Sequence, residues 1–355
     1  MTNGTNRTVL CGFFPDQPHR CELVAGIYTG VASLSFVFSI LVVAYIVLFK
    51  RYVYFSQRLI MYLCITSTFD NMTHFWTGAS THNPTLCEAQ AFFEQFWGFL
   101  TLFWEAVITL NMFVLIRKNH STQDFEDIYV ISGVIITVIV ATVPFTQQAY
   151  GPSGIYCWVK DNYVAWRIGI WYGPLYILLA LMFTSNIYIA WYLRKLNQGS
   201  VIRDRGQNPN LERMISRVNQ DVRTLLGYPI VYLVLAIFTL ANRIHNAGHG
   251  DAQSNFGLVV IYTISITITG TCNAVVFGWS SETRHNLKPK IFWAHLKTFY
   301  KAEQTDIYEF PLDQSAPGGV GQDPVWFVTS PTTAQAHVEA EYGQSNPIAL
   351  DETDI

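Results

Sequence analysis

Charged residues are scarce in this chain. Asp, Glu, Lys and Arg make up 13% of its 355 residues, against about 25% in an ordinary soluble domain. The net charge of −3 is too small to suggest nucleic-acid binding, and six cysteines are too few for a disulfide scaffold. Because 50% of the residues are hydrophobic, the composition favours a membrane protein.

Several chemistries are excluded by missing residues. The last long apolar segment, 255–279, contains no lysine that would form a retinal Schiff base. His74 and His245 lie inside predicted helices, but neither has metal-ligand spacing around it, so we expect no metal and no zinc hydrolase. We find no phosphate-binding glycine-rich loop, and we expect no removable signal peptide. The sequence therefore predicts a protein that is not an enzyme and uses no cofactor.

Seven apolar segments reach the length of about 20 residues that a membrane span requires. The seventh segment alternates Thr and Ser with apolar residues, as a strand would, but its length and its place after six helices favour a helix. We predict an all-α membrane protein with a seven-transmembrane helix bundle over 23–280. The predicted spans are 23–49, 58–79, 87–116, 128–149, 164–193, 222–246 and 255–279.

The distribution of Lys and Arg predicts the orientation of this bundle. With the N-terminus outside, seventeen of these residues lie on the cytoplasmic side and five on the outer side, which fits the positive-inside rule. Residues 1–22 then form an extracellular N-terminus, and the sequons at Asn3 and Asn6 are candidate glycosylation sites. Cys11 and Cys21 share that side, where they form either a bridge or two free thiols. Cys87 and Cys157 also lie outside and are able to pair.

The sixth segment has an inverted polarity. On a helix, Tyr228, Tyr232, Thr239, Asn242 and Arg243 fall on one stripe about 100° wide, and the wide remaining face is apolar. Such a helix fits a bundle with a polar interior, where the wide face meets lipid or other helices. Pro229, near one end, is expected to kink it. The alternative for the guanidinium alone is that it snorkels to a lipid headgroup.

Segments two, three and five repeat this pattern, and ionisable groups at membrane depth indicate a functional interior. The alternative is that these groups merely pair with one another, which we expect for Asp70 because small polar residues surround it. For the outer half of the bundle we predict a ligand pocket. Its candidate residues are Asn71, His74, Glu94, Trp97, Thr101, Glu105, Arg167, Trp171, Thr239, Asn242 and Arg243. Glu94 and Arg243 lie at comparable depth, so we predict a resting ion pair that an anionic ligand would break.

The cytoplasmic side has three predicted parts. The stretch 194–221 is charged and contains Gly and Pro, which predicts a mobile loop. A short amphipathic eighth helix is expected within 281–301, because 290–301 places apolar residues beside lysines. The tail, 302–355, is acidic and rich in Pro, Gly, Ser and Thr, so we expect it to be disordered.

Two runs carry a resemblance to a known family. The run from Tyr228-Pro229 to Asn242-Arg243 resembles the sixth helix of the cyclic-AMP-receptor-like, or class E, G-protein-coupled receptors. The run Asn273-Ala-Val-Val-Phe-Gly278 is similar to the end of that family's seventh helix. The third segment ends without an Asp-Arg-Tyr run, which argues against the rhodopsin-like class. The resemblance covers about residues 23–300, and it implies a multi-pass plasma-membrane receptor with a Cys87–Cys157 disulfide.

The resemblance further implies signalling through a heterotrimeric G protein. The candidate extracellular ligand is cyclic AMP or another small anion; the alternatives are a secretin- or adhesion-like orphan receptor with another ligand, and a seven-helix transporter. Receptor kinases and arrestin-like proteins are further candidate partners at the tail. The candidate G-protein contacts are Arg117, Lys118, Arg217 and Arg223, and the candidate conformational switch is Tyr228, Pro229 and Asn273.

Overall fold

The structure is a computed structural model of the full chain. It describes residues 14, 17–77, 83–118, 121–160, 162–203, 209–249, 255–289, 293 and 297. Within these ranges only the backbone is described for 196–203, 209–224, 246–249 and 281–282. All of these residues belong to one compact unit, Met1–Glu303.

The described chain is almost entirely helical, and several helices begin at residues with a physical reason to start one. Pro18 occupies the first turn of the first helix, where its missing N–H costs nothing. Asn83 and Asn255 cap the helices that follow them, since each side-chain oxygen accepts hydrogen bonds from two backbone N–H groups. The helices are α1 Pro18–Leu48, α2 Phe55–Thr73, α3 Pro84–Lys118, α4 Glu126–Thr142, α5 Val164–Arg167, α6 Gly173–Arg203, α7 Pro209–His249, α8 Phe256–Thr267, α9 Thr269–Trp279 and α10 Ser281–Asn286.

These helices form the seven predicted spans. Spans one to four are α1 to α4, span five is α5 with α6, span six is α7, and span seven is α8 with α9. Within the described ranges, five helices are long and apolar enough to cross a membrane, and the bent pair in span seven makes a sixth. The remaining span, α2, has 19 residues but is more polar, because it carries Asp70 and Asn71 among several Ser and Thr. It packs between α1 and α3.

Span seven is broken rather than continuous. Its two helices meet at Ile268 with a bend of 55°. On the first helix, Ser265 and Thr267 donate side-chain hydrogen bonds to carbonyls of the preceding turn, and such bonds often bend helices. Beyond the bend, the Ser35 hydroxyl accepts a bond from the backbone N–H of Thr271 at 3.3 Å. The alternating Thr and Ser residues that resembled a strand are therefore helical.

Span five contains a π-helical turn, Ile168–Tyr172, between its two helices. Pro174 follows closely and has no backbone N–H to donate. Gly173 fits because a Cβ there would lie 2.8 Å from the carbonyl oxygen of Ile168. The wide turn changes the direction of the side chains that follow α5.

The outer loop after span four is a β-hairpin, which the prediction of an all-α protein did not include. Strand β1, Tyr150–Ser153, pairs antiparallel with β2, Tyr156–Val159, and Gly154 takes a positive φ of 70° in the turn. Cys157 of β2 is bonded to Cys87 at the start of α3, so the predicted disulfide is confirmed. Cys21 is also disulfide-bonded, whereas Cys11 lies outside the described residues.

Two large clusters of buried side chains hold the bundle together, besides a small third one around Leu102. The outer cluster surrounds the hairpin and includes Phe14, Tyr28, Cys87, Cys157 and Trp158. The inner cluster joins spans one, two, three, five, six and seven and includes Leu63, Ile108, Met112, Tyr228 and Phe277. These two names are used below.

The prediction of a loop over 194–221 was wrong. Span five continues to Arg203, and span six begins at Pro209, so most of this stretch is helical. The apolar residues Leu211, Met214, Ile215, Val218 and Val222 recur with helical spacing, and this period outweighs the charge that suggested a loop. The predicted disordered tail and most of the predicted amphipathic segment 290–301 lie outside the described residues.

Candidate ligand-binding site

A cavity of about 120 Å³ lies between spans two, three, five, six and seven and the β-hairpin. Its wall combines aromatic rings with a small number of ionisable groups, which is the usual composition of a small-molecule site. The lining residues are Ser67, Asp70, His74, Glu94, Gly98, Thr101, Tyr156, Trp158, Trp171, Tyr172, Leu175, Tyr232, Leu235, Ala236, Thr239, Arg243, Tyr262, Ser265, Ile266 and Thr269.

Arg243 supplies positive charge to this wall. Its Nη2 donates to the Tyr262 hydroxyl at 2.9 Å, and its guanidinium carbon lies 4.9 Å from the centre of that ring and 5.7 Å from the centre of Tyr172. Aromatic faces attract a guanidinium through their quadrupole. The predicted ion pair with Glu94 is not formed within the described residues, because the guanidinium is turned towards the tyrosines and Glu94 bonds elsewhere.

The acidic part of the wall is built around Tyr28 of α1. The Tyr28 hydroxyl lies 2.6 Å from His74 Nδ1 and donates a longer bond of 3.5 Å to Glu94 Oε1. Asp70 lines the cavity one helical turn before His74. Asp70, which we expect to pair with neighbouring polar groups, also lies in the cavity wall, because α2 turns this face towards α3.

The hairpin covers this site from the outer side. The Tyr156 hydroxyl lies 2.6 Å from the Tyr262 hydroxyl of span seven, and the Tyr156 ring stacks on Tyr28 with centroids 5.6 Å apart. Burial and the neighbouring Tyr262 hydroxyl raise the pKa of Tyr156 well above its usual value. Tyr156 therefore remains a neutral hydrogen-bonding group at physiological pH.

Six of the predicted ligand residues meet in this cavity, and five do not. Those that line it are His74, Glu94, Thr101, Trp171, Thr239 and Arg243. Asn71 bonds the Ser67 carbonyl of its own helix, and Trp97 stacks on Phe69. Glu105 and Asn242 are fully buried away from the cavity. Arg167 donates to Val159 O and Ser153 Oγ and so holds the hairpin.

Sequence reasoning missed most of the aromatic wall. Tyr156 and Trp158 belong to the loop after span four, whose hairpin was not predicted. The available signal was that both are neighbours of Cys157 in the sequence. Tyr172 and Tyr262 carry no charge and have ordinary helical spacing, so nothing local separates them from lipid-facing tyrosines. Gly98 has no side chain that could mark it as a site residue; it makes room for Trp171, whose ring lies 3.2 Å from where a Cβ would be.

The predicted inner-side residues are placed as follows. Arg117 and Lys118 are exposed at the end of α3. Arg217 and Arg223 lie in α7, where only the backbone is described. Tyr228 and Asn273 are fully buried, and Pro229 lies inside α7. Asn3 and Asn6 lie outside the described residues.

The cavity offers both charged and aromatic groups to a bound molecule. It offers a guanidinium, carboxyl groups and aromatic faces, and no cluster of three His, Cys, Asp or Glu residues with metal-ligand geometry occurs in the described part of the chain. A guanidinium is a side chain that pairs with anionic groups, and aromatic faces pack against flat apolar groups.

Comparison with known proteins agrees with this architecture. Squid rhodopsin superposes with a TM-score of 0.54 over 83% of this chain and 91% of its own, at 14% sequence identity, which shows the fold. G-protein coupled receptor 1 of Arabidopsis thaliana is 23% identical over 280 residues, or 76% of this chain and 82% of its own.

Cyclic AMP receptor 2 of Dictyostelium discoideum is 25% identical over 195 residues, which is 53% of this chain. The match spans about half of that relative, 49% of its length. These relatives are named as receptors and not as enzymes. The family described as slime mold cyclic AMP receptor matches residues 22–280. The chain therefore belongs to the slime mold cyclic AMP receptor family, as a multi-pass plasma-membrane protein with the seven-helix fold of G-protein-coupled receptors.

Proposed function

We propose that this protein binds a small anionic ligand from outside the cell and activates a heterotrimeric G protein. The observation that carries the proposal is Arg243, which lies in the wall of an aromatic cavity beneath the β-hairpin. A guanidinium keeps its charge in any environment and binds phosphates through paired hydrogen bonds. Cyclic AMP is the first candidate ligand, because relatives of the chain are named as its receptors.

The expected mechanism is a shift between two arrangements of the bundle. In the structure Arg243 of span six bonds Tyr262 of span seven. An anion competes with this hydroxyl for the guanidinium and so changes how the two spans meet at their outer ends. Motion of span six about Pro229 would then open its inner end. A G-protein α-subunit would contact Arg117 and Lys118 together with the basic inner part of span six.

The inner side also defines the remaining proposed partners. Receptor kinases and arrestin-like proteins would act on the tail, which contains several Ser and Thr residues. With the N-terminus outside, Asn3 and Asn6 are available for glycosylation in the secretory lumen.

Nucleotide exchange tests the proposal. Membranes containing the full chain and an added G protein should exchange GTP faster when cyclic AMP is supplied. Arg243→Ala should remove this response at normal surface expression, and Arg243→Lys should weaken the potency by roughly tenfold, because the paired geometry is lost.

Arg20→Ala is the matched control for charge removal. Arg20 also lies over an aromatic ring near the outer end, 5.2 Å from the centre of Phe256, but does not line the cavity. It should respond like the wild type. An unchanged potency in Arg243→Ala would show that the guanidinium only anchors the helix at the interface.

A seven-helix transporter is the second candidate, because broken helices beside a binding cavity are typical of transporters. The 55° bend of span seven lies next to the lining residues Ile266 and Thr269. Uptake of labelled ligand into vesicles, without any effect on nucleotide exchange, would favour this function.

A further inference from the structure

Gln95 of α3 is fully buried and lies behind the cavity wall rather than in it. Its amide oxygen accepts a hydrogen bond of 2.8 Å from the indole Nε1 of Trp158 in the hairpin. Its amide nitrogen donates a longer bond of 3.5 Å to the carbonyl oxygen of Ile170 in the π-helical turn. One side chain therefore connects span three with both the hairpin and span five.

The carbonyl of Ile170 lacks its usual helical donor for a reason that is visible in the sequence. In an α-helix it would accept from the N–H four residues later, but that residue is Pro174, which has none. The π-helical turn begins at Ile168 and includes Ile170. Because a buried backbone carbonyl without a partner is costly, the Gln95 amide stabilises this irregular turn.

The groups that Gln95 holds are all part of the cavity wall. Trp158 meets Trp171 edge to face with centroids 6.2 Å apart, and Tyr172 in the same manner at 6.0 Å. All three rings line the cavity. The orientation of Trp158 therefore affects the positions of the Trp171 and Tyr172 rings, and the π-helical turn positions the backbone that carries them.

An amide is the side chain that this position requires. An indole N–H is only a donor, and a carbonyl oxygen is only an acceptor. A neutral side chain that serves both must carry an acceptor and a donor, as Gln does. A methionine of similar length would leave both partners buried and unsatisfied.

From these contacts we infer that Gln95 is a positioning residue of the ligand site, which sets the orientation of the Trp158, Trp171 and Tyr172 wall without contacting the ligand. The inference rests on the proposed function for its ligand-binding readout. Its structural readout, the environment of the Trp158 indole, is independent of any ligand.

The experiment uses the purified full chain in lipid nanodiscs. The ¹⁵N resonance of the Trp158 indole is assigned by its loss in Trp158→Phe and is then followed in Gln95→Met without ligand. We expect this resonance to shift and the dissociation constant for cyclic AMP to rise about tenfold, the effect of losing one orienting hydrogen bond. In the Trp158→Phe background, Gln95→Met should change the affinity much less, because the two residues act through each other.

Gln90→Met is the matched control. Gln90 is a fully buried glutamine on the same helix, but its amide bonds Thr73 O and Thr77 Oγ1 of span two. It should lower stability without moving the Trp158 resonance or the affinity. An equal loss of affinity in Gln90→Met, or additive effects of Gln95→Met and Trp158→Phe, would show that Gln95 only supports the fold.

The two proposals fail differently. If wild-type protein does not bind cyclic AMP, the proposed ligand is wrong, and the Trp158 resonance then decides the role of Gln95. An unchanged resonance in Gln95→Met overturns the inference whatever the ligand is.

Discussion

The outer and inner clusters are held together by different kinds of contact. Around the outer cluster, a disulfide joins span three to the hairpin, and hydrogen bonds link Tyr156 to Tyr262 and Trp158 to Gln95. The inner cluster contains more aliphatic side chains, and Ile108 and Met112 are completely buried in it. The ion pair Arg58–Glu126 lies at the inner end, but it joins spans two and four and does not involve span six.

This difference indicates which part of the molecule is the scaffold and which part is able to move. Disulfides and hydrogen bonds fix one geometry, so the outer cluster is the more rigid scaffold. Apolar contacts are non-directional, and they allow helices to shift past one another with smaller losses. Spans six and seven pack closely here, since a Cβ on Gly227 would lie 2.6 Å from Val276. A movement of span six would therefore displace span seven as well.

The largest expected effect concerns which cluster faces outward. It is all or none, because each terminal epitope is either accessible on intact cells or not. An epitope inserted after residue 2 should be stained on intact cells, and one placed after residue 355 only after permeabilisation. The excess of Lys and Arg on the other side of the bundle is the physical reason. The reverse staining pattern would show that the inner cluster faces outward, and it would overturn the proposal of a receptor.

The next effect tests the covalent part of the outer cluster. Replacing both Cys87 and Cys157 by Ala removes a bridge between residues 70 positions apart. The expected loss in free energy of unfolding is about 4 kcal/mol by the chain-entropy relation. Thermal unfolding in nanodiscs measures it, and reductant should lower the melting temperature of the wild type more than that of the variant, which keeps the Cys21 disulfide. Cys272→Ala is the control, because that thiol is free and partly exposed. Equal melting temperatures for all three proteins would contradict the assignment of the outer cluster as a covalent scaffold.

The smallest of the three effects concerns the packing of the inner cluster. Met112→Ala should cost about 3 kcal/mol, because it leaves a cavity among fully buried neighbours. Leu110, on the same helix, is 45% exposed on the lipid-facing side, so Leu110→Ala should cost less than about 1 kcal/mol. Denaturation of both variants compares the two faces directly. A large loss for Leu110 and none for Met112 would mean that α3 is rotated from the orientation described here.

Part of the site was predictable from polarity alone. Arg243, Thr239, Glu94 and His74 were expected in one pocket because polar residues on a membrane helix must turn towards the interior, and they do line one cavity. Whether Arg243 pairs with Glu94 was not predictable in this way. Equal depth places two groups at the same level, but the rotation of each helix and the competing Tyr262 hydroxyl decide which contact forms.

The errors over 194–221 and in span seven have a related cause, which is that a local pattern does not show how segments meet. The charge of 194–221 suggested a loop, but an amphipathic helix that leaves the membrane is charged as well. Span seven was expected to be one helix because its length suits one crossing. The bend at Ile268 is accompanied by a contact from α1, since Ser35 bonds the backbone beyond it, and no local pattern reveals that neighbour.

The sequence by itself determined the number of spans, the polar face of span six and the outer location of Cys87 and Cys157. These properties follow from burial in lipid, which acts on each segment separately and leaves a one-dimensional pattern. Only the tertiary structure decided that Tyr156, Trp158, Tyr172 and Tyr262 form the wall of the site. Their positions depend on a hairpin, a π-helical turn and a broken span meeting at one place, and such encounters between distant segments leave no periodic signal in the chain.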